Sequence, residues 1–160
     1  MKPFRYAVPA LVLLAATAGR ADAQQATQTV SYEVQAISEI AFTGSPSLVV
    51  SAATAGSAPT AVTANASYAV TTNETNRKIT AAIDTNMPTG VTLSVNLAAP
   101  TGGSSAGAVT LGTTAQDVVT GITQVNQGGL SVTYSLSATA AAGVVASGTR
   151  TVTYTITAGA

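Results

Sequence analysis

The sequence predicts an all-β fold, an antiparallel β-sandwich of about eight to ten short strands in one domain. Val, Ile, Leu and Tyr recur at every second position with Thr, Ser or Asn between them, which is the period of a strand with one buried and one solvated face. Turn residues separate these runs at intervals of roughly 8 to 15 residues. The Ala runs that would suit a helix are only three residues long, and Gly143 stops the run at 140–142.

Residues 1–23 have the pattern of a cleaved signal peptide. Lys2 and Arg5 give a positive start, residues 7–18 are apolar, and residues 21–23 (Ala-Asp-Ala) form a small-residue cleavage site. The apolar run of about a dozen residues is too short to cross a bilayer of ~30 Å as a helix. No Cys is present to carry a lipoprotein anchor. We therefore expect residues 24–160 to be one domain, secreted to the cell surface or periplasm of a bacterium, with no transmembrane anchor after cleavage.

Period-two alternation predicts the strands of the mature chain. The clearest run spans 130–138, where Leu130, Val132 and Tyr134 alternate with Ser and Thr. In chain order, the expected strands are 30–36, 37–42, 47–51, 66–72, 78–83, 91–97, 108–111, 118–124, 130–138 and 152–157.

Turn residues predict two hairpins and two loops. Residues 73–76 (Asn-Glu-Thr-Asn) and 126–129 (Asn-Gln-Gly-Gly) have the composition of hairpin turns, the first between strands 66–72 and 78–83. Segments 52–65 and 100–107, which consist mainly of small residues, are expected to be loops.

Mid-sized inward residues favour a sandwich over the alternative of an outer-membrane barrel, which needs two girdles of aromatic residues. The mature chain has only Phe42 and four Tyr. Because the Tyr residues lie mid-strand in phase with aliphatic neighbours, we expect them to pack in the core; they are Tyr32, Tyr68, Tyr134 and Tyr154.

The charge inventory argues against nucleic-acid binding. Only three cations, Arg77, Lys78 and Arg150, stand against five carboxylates in the mature chain, a formal charge of −2. A nucleic-acid binder needs a row of cations to displace phosphate counterions.

The chain has few residues suited to catalysis or metal binding, so we expect no enzymatic activity, no cofactor and no metal site. Residues 103–107 match Gly-x-Ser-x-Gly, but the chain has no His to activate a serine. Lys78, which a Ser-Lys dyad would require, is expected at a solvated strand end. Without His or Cys, only oxygen ligands remain, and the oxygen-rich segments 73–76 and 84–86 have the composition of Asx-type turns.

The scarcity of charge predicts a structural role at the bacterial cell surface, in which the domain associates with itself or with another surface protein. Charges on edge strands normally prevent sheets from pairing, and only 8% of this chain is charged. The alternating runs at both ends of the mature chain are the candidate assembly strands; their inward residues are Val30, Tyr32, Val34, Val152, Tyr154 and Ile156. The alternative is that both runs are ordinary paired strands of a closed monomer.

The closing run 148–157, the signal peptide and the Ser/Thr/Ala/Gly-rich mature chain resemble exported bacterial pilin-type sandwiches, including chaperone-usher and spore-coat-U-like subunits. The resemblance implies an immunoglobulin-like fold completed by a strand from a chaperone or a neighbour. The chain departs from that pattern because it has no Cys for the disulfide of many such pilins. In addition, Tyr154 is not at the penultimate position typical of many usher-assembled subunits.

Two other functions stay open. Threonine recurs at every second position of 149–157, and such a hydroxyl row on a flat strand face would suit a monomeric secreted module that binds glycan or ice. Thr also favours strands intrinsically, so the row fits an ordinary solvated face as well. A periplasmic domain that binds another protein is the remaining alternative.

Overall fold

The computed structural model describes residues 24–160, so the predicted signal peptide lies outside the described residues. Residues 24–33 contain no helix or strand. From Val34 to Ala160 the chain forms one unit that contains every strand of the described residues. In chain order the strands are β1 (Ser38–Thr43), β2 (Val62–Thr72), β3 (Arg77–Ile83), β4 (Val91–Leu97), β5 (Ser104–Ser105), β6 (Val109–Thr110), β7 (Gln116–Ile122), β8 (Val125–Ala138) and β9 (Val152–Ala158).

The strands form two antiparallel sheets packed face to face, which confirms the predicted all-β sandwich. The larger sheet has the order β1-β2-β8-β4-β6, and the smaller has the order β5-β7-β3-β9. Helical structure in residues 24–160 is limited to a 3-10 turn at Ala140–Ala142, which ends at Gly143. This turn coincides with the run of three Ala residues that was predicted to be too short for a helix.

The core lies between the two sheets and is built from the inward positions of the alternating strands. Ile79 of β3, Leu97 of β4, Ile122 of β7 and Val132 of β8 are fully buried. Tyr68 is also buried, and its hydroxyl donates a hydrogen bond to the carbonyl oxygen of Ala98 at 2.6 Å. Burial of these aliphatic faces is the main source of stability, because the chain has no Cys and therefore no disulfide.

β8 is longer than predicted because residues 126–129 do not form a hairpin turn. They lie inside β8, where Tyr68 pairs with Leu130 and Val70 pairs with Gln127, so that Gly128 and Gly129 form a β-bulge opposite one residue of β2. Gly129 has a φ of +69°, as the glycine of such a bulge requires. The Gly-Gly pair therefore bends a continuous strand instead of ending one.

Residues 73–76 also do not close a hairpin, since β2 belongs to the larger sheet and β3 to the smaller. The turn carries the chain from one sheet to the other, with Asn76 at a φ of +49°. Asn73 bonds to the segment before β1: its Oδ1 accepts from the Ile37 N–H at 2.8 Å, and its Nδ2 donates to the Gln35 carbonyl at 2.7 Å. An Asn-rich turn can hydrogen-bond to backbone groups equally well in a hairpin and in a connection between two sheets.

Two predicted strands, 30–36 and 47–51, are wrong, because neither segment is a strand in the described chain. Between β1 and β2 the described chain has one isolated bridge, from Ala53 to Pro59. The two expected loops are partly strand, since β2 begins at Val62 and β5 lies within 100–107. The other predicted strands are present, with ends shifted by a few residues.

Replacing Tyr134 by Ala tests the assignment of the inward face. Tyr134 is 8% exposed, so we expect the free energy of unfolding to fall by about 3 to 5 kcal/mol. Tyr32→Ala is the matched control, because that ring is 93% exposed and its loss should change stability by less than about 0.5 kcal/mol. Urea denaturation of both variants measures the difference, and equal effects would show that the inward face is misassigned.

The bulge predicts different outcomes at its two glycines. Gly129→Ala places a side chain at positive φ and should lower the free energy of unfolding by about 1 to 2 kcal/mol. Gly128→Ala should have a much smaller effect, since its φ is not positive and the nearest atom to an added Cβ is 3.7 Å away. Thermal unfolding of the pair checks this, and a larger loss for Gly128→Ala would contradict the bulge geometry.

Candidate assembly site

The serine motif at 103–107 lies on an exposed sheet edge. Ser104 and Ser105 form β5, which pairs with β7. The Ser105 hydroxyl donates to Asn96 Oδ1 at 3.2 Å and accepts from the Gly107 N–H at 3.1 Å. Its contacts are thus an amide oxygen and a backbone N–H, neither of which can take a proton from a nucleophile.

The oxygen-rich turns use their side chains to bind backbone N–H groups. Asp84 Oδ1 accepts from the N–H of Thr85 at 3.0 Å and of Thr151 at 3.1 Å. Asn86 Oδ1 accepts from the Thr113 N–H at 3.3 Å. Within residues 24–160, no three acidic, His or Cys side chains lie close enough together to hold a metal ion.

Two ion pairs occur among the described residues. Lys78 Nζ lies 3.0 Å from Asp117 Oδ1, which joins β3 to β7 on the outer face of the smaller sheet. Arg77 Nε lies 3.5 Å from Glu74 Oε2 within one turn. Lys78 is therefore paired with a carboxylate and partly exposed, next to the start of β3 as predicted.

Among the strands of residues 24–160, β9 is an edge strand, because it pairs with β3 on one side only. Its ladder with β3 is bounded by hydrogen bonds from Asp84 N to Thr151 O (3.1 Å) and from Gly159 N to Asn76 O (2.7 Å). Along an antiparallel strand, the N–H and C=O groups of successive residues point to alternate sides. The backbone groups of odd-numbered residues therefore point to β3, and those of even-numbered residues point to the free edge. The free edge thus presents the N–H and C=O groups of Val152, Tyr154, Ile156 and Ala158.

β1 is the corresponding edge of the larger sheet. A hydrogen bond from Asn73 N to Ile37 O (3.1 Å) fixes the phase of its ladder with β2. By the same alternation, Ser38, Ile40 and Phe42 direct their backbone groups to the free edge. The apolar side chains of Ile40 and Phe42 face the core and are only partly buried.

The two free edges meet at one side of the sandwich through aromatic contacts. The rings of Phe42 and Tyr154 stack with centroids 3.9 Å apart, and Phe42 also stacks on Tyr68 at 5.4 Å. The hydroxyls of Tyr154 and Tyr134 share a hydrogen bond of 2.8 Å. We call this surface the β1/β9 flank and define it by its partly buried apolar residues: Ile40, Phe42, Val152, Tyr154 and Ile156.

Burial changes the acidity of Tyr154 in the flank and of Tyr68 in the core beside it. Desolvation raises the pKa of Tyr68 to about 12. The pKa of Tyr154 is raised strongly, first by desolvation and then by the hydrogen bond and charge interaction with Tyr134. Both phenols therefore stay neutral at physiological pH. The Tyr154 hydroxyl hydrogen-bonds to Tyr134 of the opposite sheet, and the Tyr68 hydroxyl hydrogen-bonds to Ala98, which follows β4 in its own sheet.

The predicted assembly residues divide into two groups. Val152, Tyr154 and Ile156 lie on β9 with their side chains directed inward, as the alternation indicates. Val30, Tyr32 and Val34 lie in no strand and are 75%, 93% and 81% exposed. The expectation that Tyr32 packs in the core is therefore wrong, because its segment forms no strand and its ring is exposed.

Sequence reasoning missed Ile40 and Phe42 as members of the same surface. Their alternation predicted a strand, and β1 is present. Nothing in a single sequence shows that this strand pairs on one side only, or that it stands opposite β9. The available signal is the aromatic side chain of Phe42, the only Phe in residues 24–160.

Comparison of the chain with models of protein families, with curated proteins and with solved structures finds no match. Among residues 24–160, no helix has the length and apolar character needed to cross a bilayer.

Alkaline pH should destabilise the fold through the buried phenol of Tyr68. A phenol whose pKa is raised in the folded state stabilises the fold fully below its unfolded pKa of about 10 and loses that contribution as the pH rises further. For Tyr68, the free energy of unfolding should fall by about 2 kcal/mol between pH ~10 and ~12. Urea denaturation across this range tests it. Tyr68→Phe should reduce the fall, and an identical pH profile for that variant would contradict the assignment.

Proposed function

We propose that the protein is an exported, non-enzymatic structural subunit of the bacterial cell surface that associates with further copies of itself into a fibre. The observation that carries the proposal is the β1/β9 flank, where two free strand edges and partly buried apolar side chains occur together. An added strand at such a place gains backbone hydrogen bonds and buries apolar surface at the same time.

The charge distribution supports association at this flank. Edge strands of soluble monomers usually carry charges or Pro that prevent pairing with other sheets. β9 contains no Lys, Arg, Asp, Glu or Pro, and its outward residues are Thr153, Thr155 and Thr157. β1 has a single charge, Glu39. Both edges therefore lack most of the usual protection.

The exposed segment 30–36 supports the same function. It places three large apolar side chains in water, at Val30, Tyr32 and Val34. Scattered exposed apolar residues are ordinary, but these occur at strand spacing in one short segment. Such a segment gains free energy when a partner sheet buries alternate side chains.

Export is supported by the charged start, the apolar run and the Ala-Asp-Ala end of residues 1–23. A chain without Cys does not depend on disulfide formation in the oxidising compartment to which such a signal leads.

A second function is favoured by one observation, the row of threonines that starts just before β9 and continues along it. Thr151, Thr153 and Thr155 are exposed on the same side of the strand. A monomeric module that binds glycan or ordered water would use such a hydroxyl row. Thermal hysteresis of the purified protein separates the binding of ordered water from assembly. If the threonines only reflect the preference of Thr for strands, the thermal hysteresis should equal that of buffer.

Assembly is tested with the full chain, purified under native conditions from a bacterial host. Light scattering should show multimers that increase with protein concentration, and gel electrophoresis without heating should show a detergent-resistant ladder. Because the edges have almost no charge, multimers should persist equally at low and high salt. Negative-stain microscopy of the surface fraction, with mass spectrometry of any filament, provides the check on cells. Monomer under all these conditions would overturn the proposed function.

A further inference from the structure

We infer that β9 of one copy pairs antiparallel with β9 of a second copy, about a two-fold axis that passes between the two Thr155 residues. The pairing joins the smaller sheets of the two copies into one continuous sheet. It rests on the proposed function, because it specifies one contact through which copies associate. It assigns one occupant to the free edge of β9, which is the same edge of another copy.

The sequence of β9 is close to symmetric about its middle residue, Thr155. When two copies of the strand run in opposite directions, each apolar residue meets an apolar residue and each Thr meets a Thr. The pairs are Val152 with Ala158, Thr153 with Thr157, Tyr154 with Ile156, and Thr155 with Thr155. Pairs of an aromatic with a β-branched residue, and pairs of Thr, are among those that stabilise antiparallel strands.

The directions of the backbone groups of β9 fit the same register. Even-numbered residues direct their N–H and C=O groups to the free edge. An axis at Thr155 pairs even-numbered residues with each other, so Tyr154 exchanges two N–H···O bonds with Ile156 of the second copy. A shift by one residue would set free groups against groups already bonded to β3. A shift by two residues would shorten the overlap to 152–156 or 154–158, so only the axis at Thr155 pairs the whole strand.

The antiparallel direction keeps the inward side chains of both copies on one face of the joined sheet. A parallel arrangement of the same two edges would turn one copy over and place the two apolar rows on opposite faces. In the antiparallel arrangement the larger sheets of both copies lie on the same side, so the two β1/β9 flanks face each other. Phe42, which stacks on Tyr154 with centroids 3.9 Å apart, then lies near the axis. The contact therefore buries apolar surface and forms backbone hydrogen bonds together.

The absence of charge on β9 suits a contact between identical surfaces. Two-fold symmetry brings the same patch of both copies together, so any charge near the axis meets a like charge. β9 contains no Lys, Arg, Asp or Glu, and its outward side chains are hydroxyls that can bond to each other. Two copies therefore approach along this edge without like-charge repulsion between the paired strands.

The free edge of β1 is less suited to pair with itself. β1 has six residues, so an axis at its middle falls between Ile40 and Ala41 and pairs free groups with groups already bonded to β2. An axis at Ile40 keeps the phase but places Glu39 diagonal to Glu39 of the second copy, which is unfavourable. β1 therefore has no register that pairs its whole length, whereas β9 has one.

A single cysteine at the axis tests the pairing, since the natural chain has no Cys to interfere. The two Thr155 residues form a pair without hydrogen bonds, in which Cα atoms are about 4.5 Å apart and a disulfide can form. After mild oxidation, Thr155→Cys protein should be mainly a disulfide-linked dimer on a non-reducing gel. Thr153→Cys alone should give at most a tenth of that dimer. A mixture of Thr153→Cys and Thr157→Cys, with tags of different mass, should give the heterodimer.

Three controls report the other ways in which a disulfide could form. Exposed Thr114→Cys reports random collision, and Ala41→Cys reports pairing of β1 with itself. A mixture of Ser31→Cys and Thr157→Cys reports an edge of β9 that is covered by the segment before β1. Each should give at most a tenth of the dimer formed by Thr155→Cys. A larger yield from the last mixture than from Thr155→Cys would assign the edge to that segment and overturn the inference.

The outcomes separate the inference from the proposed function. If multimers form but Thr155→Cys gives no more dimer than Thr114→Cys, the inference is overturned while the proposed function stands. If Thr155→Cys dimerises but the natural chain forms nothing larger than a dimer, the inference stands and the fibre is overturned. Absence of both the disulfide dimer and the multimers overturns both.

Opposite charges at the axis test the two-fold symmetry without cysteine. Thr155→Lys and Thr155→Glu each place like charges face to face, so sedimentation velocity should show dimerisation weakened about fivefold in either variant alone. An equal mixture of the two should recover the association, and high salt should remove the difference. Thr114→Lys and Thr114→Glu are the matched controls and should dimerise like the natural chain. Thr155 is exposed, so urea denaturation should show that both variants stay folded. A mixture that associates no better than the single variants would contradict an axis at Thr155.

Discussion

Contact between the apolar faces of the two sheets is the interaction on which the rest of this structure depends. The chain has no Cys and therefore no disulfide, and only two ion pairs occur among residues 24–160. Exposed or partly exposed ion pairs contribute little to stability. Burial of residues such as Ile79, Leu97 and Val132 must therefore offset most of the conformational entropy that folding removes. β8 is the central strand of the larger sheet, where it pairs with β2 and β4, and its inward residues Leu130, Val132 and Tyr134 are buried in the core.

The same requirement explains why the β1/β9 flank differs from the remainder of the sandwich. A strand in the middle of a sheet has neighbours on both sides, and its inward side chains are covered by the opposite sheet. At the flank each sheet ends, so Phe42 and Tyr154 cover one another but remain partly exposed. Stacking and the shared tyrosine hydrogen bond hold the two edges together where the main core stops.

Local signals in the sequence predicted most of the fold and half of the candidate site. Alternation identified β4 and β9 closely because it reports which face of a strand is buried. It failed at 30–36, because the same pattern arises whether or not a sheet lies beside the segment. Turn composition failed at 73–76 and at 126–129, since Asn and Gly serve sheet-to-sheet connections and bulges as readily as hairpins. Which strands are edges depends on pairing between residues that are far apart in sequence.

The position of segment 30–36 directly before β1 has a consequence for symmetry. Its apolar side chains and the free edge of β9 are different surfaces of one chain, so a contact between them is heterologous and is not satisfied by two copies facing each other. If such a contact formed in the proposed fibre, each copy that contributed its segment would still have its own β9 edge open. A row of such copies would be directional, with an unused segment at one end and an unused edge at the other. The length of the row would then be set by any molecule that covers the unused segment at one end or the unused edge at the other.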